Sequence, residues 1–351
     1  MSARAWSPSA PRFALFDAPS PLQRLPRFSA ALRRAARSGA PEVWMKREDL
    51  LPVGLGGNKL RNLEFHLGAA IAAGADVVVT SGRRWSNHCR LTAAAGARAG
   101  LAVELVLSGP PAAVPGINER LDVLFGAHVR VAPSDARADR ERLVAETMSR
   151  LAAEGRRPYL IPVGGSGIVG VIGQVLAGLE LARQLEAAGM LLGGLILPTA
   201  TGGTQAGLLV GLRHAGLAAP VLGMAVGTPA AELAPIVAEL AAGVAGQLDP
   251  AGAGVANTLA TRDWSAEIDI DDRTIGEGYG RRSAAGASAA LLLARTEGIV
   301  VDPVYTAKAL GGLIELAREG RLDGAGAVVF WHAGGTPGVF ETLPGDPPAE
   351  R

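Results

Sequence analysis

A chain of 351 residues that is 48% hydrophobic can bury a large core and is long enough for two lobes. Its formal net charge of +1, with arginines and acidic residues interspersed, argues against a nucleic-acid partner and against a charged membrane-binding face. A single cysteine, Cys89, excludes an intramolecular disulfide and a thiolate metal cluster, and five histidines without H-x-x-x-H spacing make a zinc site unexpected, so no metal is assigned.

In chain order, MSARAWSPSAPRF has no apolar stretch followed by a small-residue cleavage site. No uninterrupted apolar run reaches the roughly twenty residues of a membrane span, so the expectation is a cytoplasmic protein with no membrane partner. Residues 1–40, rich in Pro, Ser and Arg, predict an extended segment running into a short helix. Val43 to Lys46 is a strand, followed by the stretch GGNKLRNLEF at Gly56 to Phe65. Leu60, Leu63, Leu67 and Ile71 then fall on one helical face, which puts Lys59 in the first turn of a helix. A cation is poorly placed at that positive end. Read alone, Lys59 is a solvated first-turn lysine; read with positive surroundings and burial, it is an amine held unprotonated for Schiff-base chemistry.

From there βα alternation is regular. Asp76 to Thr80 is a buried parallel strand, SNHCRLTAAAGARAG a helix, LAVELVLSG a strand, GINERLDVLFG a helix and HVRVAP a strand, before a charged helix from about Asp135 to Glu154. Tyr159 to Val163 predicts a strand ending in GGSG, and Val169 to Ala188 a helix. LGGLILP is a strand, Val221 to Val226 another, and Pro229 to Leu248 a helix. Asp249 to Trp264 has weak periodicity, SAEIDI returns as a strand, and Ala284 to Glu297 and Ala307 to Glu319 are helices. AVVFWHAGG is the last strand, leading into a Pro-rich tail expected to fray. The pattern predicts an α/β protein with parallel sheets flanked by helices, whose ligands lie beyond the carboxyl ends of strands.

Four loops carry candidate chemistry. Thr199, Ala200, Thr201, Gly202, Gly203 and Thr204 follow a strand and precede a helix, a context in which backbone N–H groups, hydroxyls and the helix's positive end converge on a phosphate. This loop has neither the Gly-Lys-Thr ending of a nucleotide loop nor the G-x-G-x-x-G pattern, so a small phosphate monoester fits it best. Ser86, Asn87 and His88 open a helix, where Ser86 is also a plausible cap. Tyr279 lies between glycines on a loop expected to be flexible, and Tyr305 and Thr306 open a further helix. A phosphate cradle, an amine at a helix start, and hydroxyl and amide groups on other loops together match the needs of pyridoxal 5'-phosphate.

On KREDL, GGNKLRNLEF, SNHCR, IPVGGS, TGGTQAG, DPVYT and HAGGTPG, the chain resembles the fold-type II, tryptophan-synthase-β-like enzymes that use pyridoxal phosphate, specifically the 1-aminocyclopropane-1-carboxylate deaminase and D-cysteine desulfhydrase group. The resemblance runs from Pro19 to Phe340. It implies a discontinuous large cofactor-binding domain over 1–65 and 163–345, a small α/β domain over 66–162, and a homodimer. It makes Lys59 the Schiff-base lysine, sets Asn87 near the cofactor's ring hydroxyl, and gives Thr199 to Thr204 to the phosphate. Ser86 and Tyr279 match positions that meet the substrate, with Ser86, Tyr279 and Lys59 as the catalytic set. Trp85, Asn87, His88 and Tyr305 join Ser86 and Tyr279 around the amino-acid substrate. Thr306 falls at the partner of the pyridine nitrogen, where the deaminases resemble one another in having glutamate and the desulfhydrases in having threonine. A neutral hydroxyl there makes a weaker electron sink, which suits elimination of a thiol.

Two departures stand out. Arg84 and Trp85 replace the Ile-Gln usual before Ser-Asn-His, adding bulk and removing an amide, and Ala200 replaces a glycine. His332 reads as structural. The reading is α,β-elimination from a small amino acid, D-cysteine desulfhydrase-like, giving a 2-oxo acid, ammonia and a thiol or sulfide. The alternatives are a deaminase or a specialised-metabolism enzyme with another amino-acid substrate, and, in a different class, a non-catalytic paralogue that binds the cofactor or an amino acid.

Overall fold

The computed structural model describes residues 6–36, 40–109, 114–248, 259–323 and 326–341. Short runs of Val, Leu and Ile with little polar alternation build its central strands, because helices cover both faces of each sheet there, whereas the edge strands are more polar. The larger sheet has the order β1-β2-β10-β7-β8-β9. Its strands are β1 (Leu22–Arg24), β2 (Val43–Arg47), β7 (Leu192–Thr199), β8 (Val221–Ala225), β9 (Asp269–Asp271) and β10 (Ala327–His332). All neighbours are parallel except β1, which pairs antiparallel with β2 at the edge. The smaller sheet, all parallel, has the order β5-β4-β3-β6. It comprises β3 (Val77–Arg83), β4 (Ala102–Ser108), β5 (His128–Val131) and β6 (Pro158–Leu160).

The helices are α1 (Pro26–Ala35), α2 (Lys59–Ala72), α3 (Asn87–Ala99), α4 (Ile117–Leu124), α5 (Arg137–Ala153), α6 (Ile168–Ala187), α7 (Gly203–His214), α8 (Ala230–Ala245), α9 (Ala284–Glu297) and α10 (Thr306–Arg318). One core packs α6, α7 and α8 on the larger sheet, with Phe65, Leu197, Leu208 and Trp331 fully or almost fully buried. Its opposite face is closed by α1, α9 and α10 through Phe28, Leu293, Leu310 and Phe330. A third core places α2 and α3 against the smaller sheet through Leu60, Leu63, Leu91 and Leu105. Helix α6 is long and apolar enough to cross a membrane by length and composition, but 67% of it is buried within the fold. It lies so close to α2 that a Cβ on Gly173 would stand 1.9 Å from the Arg61 carbonyl oxygen.

Beneath the start of α2 lies a buried charge cluster. Arg61 donates to Glu48 Oε2 at 2.6 Å and to Glu180 Oε1 at 2.9 Å, and Lys46 pairs with the same Glu180. Burial works against the charge on Arg61, but Glu48 and Glu180 outweigh it and hold the guanidinium protonated.

Several expectations are corrected. The strand expected over Tyr159 to Val163 stops at Leu160, because Val163–Gly165 coils into a 3-10 turn in which Gly164 and Gly165 take φ of 69° and 62°. Of SAEIDI only Asp269 and Ile270 pair with β8, the strand running one residue further to Asp271; Ser265–Glu267 is a 3-10 turn, with Ser265 hydrogen-bonded back to Asp263. Ile71, placed on the apolar face of α2, is 43% exposed near the end of that helix. Leu22–Arg24, expected only to be extended, joins the sheet edge. Most of the weakly periodic segment, 249–258, and the Pro-rich tail, 342–351, lie outside the described residues.

Candidate active site

The carboxyl ends of β3 and β7 and the loop after β10 open on one cleft of about 1000 Å³, which Lys59 enters from the start of α2. The loop before Lys59 has the shape only glycine allows. Gly56 has φ of 74°, and a Cβ there would overlap the Asp49 carbonyl oxygen at 2.0 Å. Gly57, at φ of 138°, bridges to Gly334 in the loop after β10. Buried Arg90 donates to the carbonyls of Gly54 and Gly56 and fixes the loop from below. Lys59 keeps an opening to the cleft, yet burial lowers its amine from 10.5 to about 8. The solvated-lysine reading is therefore set aside.

Thr199 to Thr204 form the facing turn. Gly202 takes φ of 81° immediately before α7, with Val237 2.9 Å from where a Cβ would lie. Thr199 Oγ1 is buried without a partner, and Thr201 Oγ1 meets Ser166 Oγ at 2.5 Å. Ala200, Thr201, Gly202 and Thr204 face the cleft with Thr199, whereas Gly203 packs on Ser166. Asn58 ties turn to lysine: its Nδ2 donates to Thr204 Oγ1 at 2.8 Å, and its own carbonyl accepts from Gln174 at 2.9 Å.

Ser86 both caps α3, accepting from the Cys89 N–H at 3.2 Å, and faces the cleft. Asn87 is oriented by Asn118, whose Nδ2 donates to Asn87 Oδ1 at 3.0 Å and to the Trp85 carbonyl at 2.9 Å. His88 lies at the cleft with Nε2 on Thr80 Oγ1 at 3.0 Å. Burial, then the charges of Lys59 and His66, push its pKa well below the usual value and keep it neutral. Cys89, fully buried beside them, has its thiol pushed far up by the same burial.

Tyr279 is not on a loose, exposed loop. Its hydroxyl pairs with that of Tyr305, the two rings meeting edge to face at 5.8 Å, and buried Lys308 clamps the loop by donating to the Ile275 and Gly278 carbonyls at 2.7 and 2.8 Å. Trp85, expected beside the substrate, lies instead behind Tyr279 with ring centroids 6.3 Å apart, 8% exposed and with its indole N–H unpartnered. Arg84 turns outward to Glu119 at 2.9 Å. The indole therefore shapes the cleft through the tyrosine in front of it. Thr306 is fully buried and donates to Asp302 Oδ1 at 2.6 Å. It is not a cap: Asp302 accepts the N–H groups of Val304, Tyr305 and Thr306 at the start of α10. Burial raises the Asp302 pKa, against the pull of these hydrogen bonds. His332 hydrogen-bonds to backbone, with Nε2 2.9 Å from the Val300 carbonyl oxygen and Nδ1 accepting from the Gly334 N–H, and its Nδ1 lies 3.8 Å from Asp49 Oδ1.

Asn58, Asn118, Ser166 and Asp302 were not singled out from sequence. Asp302 had a signal: an aspartate just before a helix whose first residue is threonine fits a side-chain cap. The others act across long sequence separations and carry no local pattern.

The residues present fit pyridoxal phosphate. An orphaned buried hydroxyl at Thr199, a turn closed to any Cβ at Gly202 and the amino end of α7 make an anion cradle, opposite an amine whose charge burial disfavours. A family model described as pyridoxal-phosphate dependent enzyme matches residues 14–334. The structure of an ACC deaminase homologue superposes with a TM-score of 0.81 at 35% identity, covering 95% of this chain and 94% of the other. The fold alone is shared with a T.th. threonine deaminase, at 21% identity, TM-score 0.63 and coverage of 91% and 92%. It is shared likewise with a fungal L-serine ammonia-lyase from Rhizomucor miehei, at 16% identity, TM-score 0.64 and coverage of 93% and 95%.

Proposed function

The chain belongs to the pyridoxal-phosphate dependent enzymes, and from that premise we propose that it is a lyase that eliminates a β-substituent from a small amino acid, with D-cysteine as the first substrate to try. The observation that carries this is the Lys59 amine, lowered to about 8, facing a glycine-shaped anion turn to which its neighbour Asn58 is hydrogen-bonded. The bound cofactor supplies the electron sink that makes a Cα–H acidic.

The chain's own residues do the rest. Thr199 to Thr204 hold the phosphate on backbone N–H groups and hydroxyls. Lys59 would hold the cofactor, and its Nζ is the general base for the Cα proton. Ser86, at the positive end of α3, holds the substrate carboxylate, and Asn87, its amide fixed by Asn118, would meet the cofactor's ring hydroxyl. The paired Tyr279 and Tyr305 hydroxyls stand where a proton has to reach the departing group. Thr306 meets the ring nitrogen, and the Asp302 carboxylate behind it polarises its hydroxyl. Closure of the two lobes then excludes water.

That carboxylate favours a second reading, ring opening of an aminocyclopropane carboxylate. Asp302 stands one hydrogen bond behind a neutral threonine and lends it part of the character a glutamate has. The experiment is a visible spectrum of the purified protein and of Lys59→Ala, followed by assay of 2-oxo acid from D-cysteine and from the cyclopropane amino acid. A band lost in the variant, with 2-oxo acid from D-cysteine, supports elimination. Turnover of only the cyclopropane substrate selects the second reading, and absence of any band removes both.

A further inference from the structure

Past the lysine and the phosphate turn, the cleft continues over the carboxyl end of β3 toward the start of α5, and its wall changes character. Arg83 ends β3, Arg137 and Arg140 stand in the first turn of α5, and all three face the cleft. Arg137 is matched by Glu141 at 2.6 Å, and Arg83 by the half-exposed Asp135. Arg140 forms no ion pair among the described residues. Its Nη1 donates to Ser108 Oγ at 3.0 Å and its Nε is buried without a partner. A guanidinium has five donors in a planar fork, and here most of that fork is left for something else.

The surroundings give these donors an electrostatic preference. Burial and then the charge of Arg140 lower the pKa of Arg83, so two cations stand near each other, with Asp135 paired to Arg83 and Glu141 also facing the cleft. Glu232, on the opposite lip, is exposed and screened. Like charges in a partly desolvated cleft are relieved by an oxyanion placed between them, and Arg binds carboxylate, sulfonate or phosphate through two parallel N–H···O bonds. Only two residues separate Arg83 from Ser86, so one β3–α3 connection brackets both ends of an amino acid. Its α-carboxylate belongs at Ser86, and its far end at the arginines.

We propose that Arg140, with Arg83, binds an oxyanion carried on the side chain of the substrate, so that the preferred substrate is a β-substituted alanine whose leaving group bears a carboxylate, sulfonate or phosphate. The assignment rests on the elimination reading above and narrows it. In the step it concerns, Lys59 Nζ gains the Cα proton, the bond from Cβ to the substituent breaks, and its electron pair departs on the substituent. The arginines hold the negative charge already on that group and the charge it gains.

The test uses the cofactor-loaded protein and two readouts. Dissociation constants come from the change in the visible band on titration with both enantiomers of O-phosphoserine, S-sulfocysteine and S-carboxymethylcysteine, against S-methylcysteine as the neutral comparator. Release of 2-oxo acid is measured beside them. At least one anionic ligand is expected to bind about tenfold or more tighter than S-methylcysteine, the scale of one charge-assisted hydrogen bond. Arg140→Gln is expected to remove most of that ratio, and Arg83→Gln part of it. Equal affinity for neutral and anionic ligands in the wild type overturns the proposal, whether or not the variants fold. Equal weakening of both classes by Arg140→Gln overturns it too, because the arginine then serves the α-carboxylate. An anion preference that depends on Arg140 without 2-oxo acid from any ligand leaves the site standing and removes elimination instead.

Discussion

The floor of the cleft, where the Gly56–Lys59 loop meets the Thr199–Thr204 turn, is held by backbone conformations that side chains resist. The opposite wall, from Arg83 to Ser86 with Tyr279 and Tyr305, is held by side chains leaning on one another. On the floor a single Cβ has no room: at Gly56 it would meet the Asp49 carbonyl at 2.0 Å. On the wall Trp85 fills the space behind Tyr279 at a centroid distance of 6.3 Å, in a packing that another ring can also fill. Under the proposed function, cofactor retention belongs to the floor and substrate choice to the wall.

Breaking the floor has the largest expected effect. Lys59→Ala removes the amine, and turnover is expected to fall by about 10³-fold or more with loss of the visible band, read by stopped assay and spectrum. Asp302→Asn keeps the band but replaces the carboxylate behind Thr306; a fall in kcat of roughly 10- to 100-fold is expected, the share of one charge-assisted hydrogen bond. The pH dependence of cofactor attachment follows from Lys59. Only the neutral amine reacts, so the rate at which the cofactor-free protein regains its band rises about tenfold from pH 6 to 7 and levels off above about 8. Because burial disfavours the charged amine, its cost to the cofactor-free fold is full below about pH 8 and is gone above 10.5. Gly202→Ala, at φ of 81° and facing Val237, is expected to cost about 1–2 kcal/mol and to weaken cofactor binding by roughly tenfold, measured by dialysis. The smallest effect belongs to the wall. Trp85→Phe is expected to change cofactor affinity by less than about threefold while shifting the ratio of kcat/KM between substrates; a loss of cofactor affinity as large as that of Gly202→Ala would erase the distinction between the two regions.

The same division marks what could be read beforehand. Lys59 and the Thr199–Thr204 turn could be singled out as candidates because each lies on a glycine-rich loop that leads into a helix, and the strand and helix order followed from hydrophobic periods. Trp85 was named, but its direction was not, since a residue number gives no side-chain rotamer. Asn58 reaches Thr204 across 146 positions, and Asn118 reaches Asn87 across 31, so neither pairing leaves a local trace. Tyr279 looked mobile because glycines flank it, whereas Lys308, 29 positions on, clamps the loop by its carbonyls. Thr306 reads in the sequence as a lone hydroxyl, whereas Asp302, one helical turn away, accepts its proton in a hydrogen bond.

Cys89 is the only thiol in the chain, and it is sealed beneath the amino end of α3, two residues past Asn87. A thiol reagent therefore has one target, reached only by an opening of the packing around α3, the helix that Ser86 caps. Its labelling rate in native buffer is a clock for that opening, with a single channel and no background from other sites. Ligands that tighten that packing slow the clock, and those that merely fill the outer cleft leave its pace alone.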